Sequence, residues 1–200
     1  MTKRFSVFIL LFAGMLFFHL SYATAGRTKL TSSKFDSSYK GGHLKSVMIV
    51  AMAKKTGNRK IFEDTFVKEF QSHDVKAVSS MGVVPQGKES DKNILKAEAE
   101  KLGIEHLLVI QLVDIKEKKE EISIPLSGPG ITLPSHRYNM PTLGIKETRV
   151  KLESRLYEFK TEKRIWSAAS ESVDPKSTKE IVEQLSGKVM KSLKKSNLLE

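Results

Sequence analysis

Ser46-Val47-Met48-Ile49-Val50-Ala51-Met52 is apolar at every position after the first. Successive side chains of a strand point to opposite faces, so a run without alternation reads as a strand covered on both sides. Leu107-Leu108-Val109-Ile110-Gln111-Leu112-Val113 is a second run of this kind. Two such strands separated by helical segments imply a parallel, layered α/β arrangement with right-handed crossovers.

The intervening sequence supplies those helices. Residues 53–58 read as a turn carrying Gly57, with Asn58 as the expected helix cap. Phe62, Phe66 and Phe70 recur every four residues beside Val67, the apolar stripe of one helix. That helix ends near His73, and Val75, Ala77 and Val78 form a short strand. A second helix follows, capped by Ser90 or Asp91. It buries Leu95, Ala99 and Leu102, and Gly103 stands where a left-handed helix end is wanted.

Toward the C-terminus the pattern changes. Residues 122–146 hold Pro125, Pro129, Pro134 and Pro141 with Gly128, Gly130 and Gly144. Helices and central strands do not tolerate that density, so the segment reads as a long loop, functional or disordered. Val150, Leu152 and Leu156 then alternate with charged residues. Phe159 to Trp166 reads as a hairpin whose tryptophan packs on the sheet. Ser177-Thr178-Lys179-Glu180 matches the capping box, and Val182, Leu185, Val189 and Leu193 give the last helix its buried face. The predicted fold is α/β (α+β). Its mixed five-stranded sheet has the order 2-1-3-4-5, counting from residues 46–52, and carries about three helices. The two apolar runs lie innermost. Residues 26–44, rich in Ser, Gly, Lys and Thr, read as a flexible lead-in, and 45–200 as one αβ domain.

The first 25 residues read as a secretory signal. Lys3 and Arg4 precede an apolar stretch from Phe5 to Leu20, and Ala23-Thr24-Ala25 is the cleavage pattern. The expected product is free in the periplasm, cleaved after Ala25 and without a transmembrane segment. It is not lipid-anchored, because the chain has no cysteine to acylate. The formal charge of +11 becomes +9 without Lys3 and Arg4. Export and the lack of an aromatic-basic motif argue against nucleic acid as a partner.

Gly82-Val83-Val84-Pro85-Gln86-Gly87-Lys88 nearly spells a phosphate-binding loop between a strand and a helix, and Asp114 ends the next strand. Against a nucleotide, Glu89 stands where the loop needs a hydroxyl for magnesium, and Pro85 removes a backbone N–H. No nucleophile elbow is present, and His43, His73, His106 and His136 have no ligand spacing. No catalytic residue, cofactor or metal is expected.

From residue 45 to 195 the pattern resembles small αβ domains of the bacterial envelope. These are the TolB amino-terminal region, the curli-secretion lipoprotein and the lipoprotein activators of penicillin-binding proteins. The likeness lies in Thr56-Gly57-Asn58-Arg59-Lys60-Ile61-Phe62-Glu63-Asp64-Thr65-Phe66, in the glycine before the 107–112 strand, in the 158–167 hairpin and in the final helix. It implies a non-enzymatic accessory module that binds another envelope protein. Within the long loop, Ile131, Leu133, His136, Arg137, Tyr138 and Met140 mix apolar anchors with Arg and Tyr, residues common at binding hot spots. The alternative reading is a basic protein bound to an anionic envelope component such as lipopolysaccharide, phospholipid or cell-wall polymer, resting on the +9 charge. A nucleotide-binding enzyme ranks third.

Overall fold

A computed structural model describes residues 27–123 and 142–200 of the chain. Six strands form one sheet: β1 (Arg27–Phe35), β2 (Ser46–Met52), β3 (Lys76–Ser79), β4 (His106–Ser123), β5 (Thr142–Glu158) and β6 (Arg164–Val173). Three helices pack on it: α1 (Thr56–Gln71), α2 (Lys92–Leu102) and α3 (Thr178–Lys195). The sheet order is β1-β6-β5-β4-β2-β3, with β2 parallel to β3 and β4 and the other pairs antiparallel.

β2 explains the layering. Val47, Ile49 and Ala51 face the core beneath α1 and α3. Met48 and Val50 face a second, smaller core beneath α2 with Val84, Leu95, Ala99 and Ile104. Phe62, Phe66 and Phe70 of α1 are buried as their spacing requires, and so are Val182, Leu185, Val189 and Leu193 of α3. Trp166 is 1% exposed and donates its indole N–H to Ser192 Oγ at 3.3 Å. Asp91 caps α2 by accepting from the N–H groups of Asn93 and Ile94, and Gly103 ends that helix at φ 62°.

The five expected strands keep their expected neighbours, and β1 adds a sixth at the edge of β6. Residues 27–35 are therefore a paired strand and not a flexible lead-in. An edge strand open to water on one face needs few apolar residues, and only Thr28 of β1 is fully buried, bonded to Ser172 Oγ at 2.8 Å. Asn58 is not the cap of α1: the helix begins at Thr56, Lys55 holds the cap position, and no side chain caps it. In α3 Ser177 accepts from the Glu180 N–H as expected, while the Glu180 carboxylate takes the Lys176 N–H, one residue outside the usual reciprocal bond.

The 122–146 loop is shorter than its composition implies. The β4–β5 ladder continues through Ile122↔Leu143 to Ser123↔Thr142, so residues 122–123 and 142–146 are paired strand. The apolar run at 107–113 is also not innermost throughout. β4 loses β2 as a neighbour after Gln111, a bulge leaves Val113 unpaired, and Leu112, Val113 and Ile115 are 45%, 59% and 55% exposed.

Candidate functional site

The carboxyl ends of β2 and β3 form the crevice where open α/β sheets usually receive ligands. α1 delivers Arg59 and Glu63 there, one turn apart on the same face. Glu63 is fully buried. Its carboxylate accepts the backbone N–H of Ala51 at 3.1 Å and of Met81 at 3.0 Å. It also accepts the hydroxyls of Ser79 at 2.6 Å and Ser80 at 2.9 Å, and Arg59 Nε–H at 2.8 Å. Arg59, itself buried, donates Nη2–H to Ser80 Oγ at 2.8 Å and Nη1–H to the Glu89 carboxylate. Burying two ions is costly, and the cost is met only when every lone pair and proton finds a partner. Here one carboxylate ties together the end of β2, the start of α1 and the turn after β3.

The near phosphate loop closes the other side of the crevice. Gly87 adopts φ 83°, a conformation glycine takes without penalty, and donates its N–H to Glu89 Oε1 at 3.0 Å. The N–H of Gly87, Glu89's own N–H and the Arg59 guanidinium hold the Glu89 carboxyl below the usual carboxylate range. The residue that breaks the motif thus places an internal carboxylate on the loop's amide and on the nearest cation. Lys88 is exposed, and Asp114 lies beyond the bulge of β4, 3.7 Å from Lys116 Nζ. A cleft of about 510 Å³ remains beside this network, lined by Met52, Lys54, Thr56, Arg59, Met81 and Glu89 among others.

A second cleft, of about 410 Å³, shares Met52 and Glu89 with the first and opens on the α2 face of the sheet, between α2 and the β5–β6 hairpin. Its floor is Met52, Leu95, Leu107, Val109 and Phe159, and its walls include Lys92 and Arg155. Farther along the same face, Glu171 lies within 4.0 Å of three cations, Lys29, Arg149 and Lys151, of which Arg149 also donates Nε–H to Glu147.

His106 is buried behind β2, with Nδ1 3.2 Å from the Ser46 carbonyl and Nε2 3.0 Å from the Tyr39 hydroxyl. Burial pushes its pKa down and that of Tyr39 up. Among the described residues no group of His, Cys, Asp and Glu is placed to hold a metal ion. The expected partner-binding residues Ile131, Leu133, His136, Arg137, Tyr138 and Met140 lie outside the described residues, as does the signal segment. Sequence reasoning did not single out Arg59 and Glu63, and it gave Glu89 no partner. The four-residue spacing of Arg59 and Glu63 was a signal, but such pairs are usually solvated.

No protein-family model matches the sequence, and no curated protein is similar to it. Among solved structures, the chain is similar to the PelC dodecamer of Paraburkholderia phytofirmans at 13% identity, covering 84% of this chain and 97% of that one with a TM-score of 0.47. It is similar to the lipoprotein GNA1162 of Neisseria meningitidis at 12% identity, covering 76% and 99% with a TM-score of 0.42. The LpoB C-terminal domain of Salmonella enterica follows at 13% identity, covering 68% and 85% with a TM-score of 0.34. Among the described residues no helix is long and apolar enough to cross a membrane.

Proposed function

We propose that the chain is an exported, non-enzymatic accessory module, free in the periplasm after cleavage at Ala25, that binds another envelope protein. The observation that carries this reading is the apolar step on β4. Leu112, Val113 and Ile115 stand exposed where the strand leaves the cover of β2 and its outer edge has no pairing partner among the described residues. An open strand edge with apolar side chains is a template for an added strand. The charged groups of the strand-end crevice support the reading from the other side, since Arg59, Glu63 and Glu89 are engaged by one another. Ile131, Leu133, His136, Arg137, Tyr138 and Met140, in the segment joining β4 to β5, are further partner-binding residues in this proposal.

Cross-linking in native envelopes tests it. The parent chain is expected to capture a discrete protein partner. The L112T/V113T/I115T variant and a chain shortened across 126–142 are each expected to lose it. Retention by both refutes the proposal. The three cations around Glu171 favour a second reading, attachment to an anionic envelope surface. Co-sedimentation with anionic vesicles that weakens between low and physiological salt supports it, and salt-independent binding refutes it.

A further inference from the structure

We infer that the cleft between α2 and the β5–β6 hairpin is a binding site for a free, single-chain carboxylate. Its floor brings together side chains from four elements: Met52 of β2, Leu95 of α2, Leu107 and Val109 of β4, and Phe159 of the hairpin. Leu107 and Val109 are only half-buried, because α2 covers the sheet no farther than Leu95 and Ala99. The trough therefore keeps an apolar strip that the fold does not fill. A volume of about 410 Å³ falls within the usual range of ligand pockets and holds on the order of a dozen non-hydrogen atoms.

The polar wall selects the sign of the head group. Three carboxylates line the cleft, and each is already engaged. Glu89 is paired with Arg59 and the Gly87 N–H, and Glu162 with Lys96 at 3.1 Å, while Glu158 accepts the uncharged Thr161 hydroxyl at 2.6 Å. Arg155 spends Nε–H and Nη2–H on Glu153. Lys92, at the first position of α2, has no ion-pair or hydrogen-bond partner among the described residues. An apolar floor beside one unspent ammonium fits an aliphatic tail ending in one negative charge.

Decanoate is the probe, titrated calorimetrically into the full chain. Decyltrimethylammonium, inorganic phosphate and phosphatidylglycerol vesicles are the comparison arms. Decanoate is expected to bind at one site with a Kd in the micromolar range, at least tenfold tighter than decyltrimethylammonium, and phosphate alone is not expected to bind there. Lys92→Glu should weaken decanoate at least tenfold, and Val109→Trp, which fills the floor from a half-exposed position, should abolish it while the circular dichroism stays unchanged. Equal binding of the two decyl compounds, unaltered binding by both variants, or vesicle binding without decanoate binding each overturns the assignment.

Discussion

Replacing Arg59 with Met removes the guanidinium and keeps most of the apolar stem. What is left is Glu63, fully buried, with four hydrogen-bond donors and no counter-charge. Removing one partner of a buried pair costs about 3–5 kcal/mol, because the remaining charge is uncompensated. The surviving donors from Ala51, Met81, Ser79 and Ser80 place the expectation near the lower end, about 3 kcal/mol. At about 2–4 °C per kcal/mol for a domain of this size, Tm should fall by about 6–12 °C. Thermal and urea unfolding followed by circular dichroism measure this. The double variant Arg59→Met with Glu63→Gln removes both charges and should recover part of the loss, so the cycle of single and double variants gives a coupling well above 1 kcal/mol. A fall below about 1 kcal/mol for Arg59→Met, or strict additivity in the cycle, would refute the view that this pair fixes the crevice.

Three further outcomes are expected. Leu156→Ala empties a fully buried position on β5 and should cost about 2–5 kcal/mol in urea unfolding. Ser177→Ala removes the oxygen that accepts the Glu180 N–H and should cost about 1 kcal/mol, read as a small drop in Tm. His106 is kept neutral by burial, its pKa lowered from 6.5 despite the Ser46 carbonyl and the nearby Glu105 and Glu158. The unfolded chain therefore binds the extra proton first, so this contribution to stability is complete above pH ~6.5 and is lost as pH falls below it. Urea midpoints at pH 7.5 and 5.5 should differ more in the parent than in His106→Gln.

Much of this architecture is legible in the sequence because burial on both faces and four-residue spacing leave a pattern that water cannot explain. β2, the phenylalanine stripe of α1 and the face of α3 are of that kind. β1 is not, since an edge strand with one wet face needs little apolar material, and Arg-Thr-Lys-Leu-Thr-Ser-Ser-Lys-Phe reads as a tail. The bulge at Val113 is also hidden, because the apolar run continues past the point where β2 stops covering it. The Arg59–Glu63–Glu89 network spans 30 residues of chain and depends on turns that bring the parts together. The place of Glu89 on the Gly87 N–H and the Arg59 guanidinium depends on the turn that carries it back toward α1, which leaves no periodic signal in the sequence.

The pairing of β1 with β6 has a consequence for how the chain matures. Phe35 sits opposite Trp166, so the first strand to be synthesised cannot find its place until more than a hundred later residues exist. Such distant closure is slow, and an unpaired edge is sticky while it waits. Lysines and serines along β1 keep the waiting segment hydrated, which makes its unremarkable composition a safeguard against clumping during synthesis.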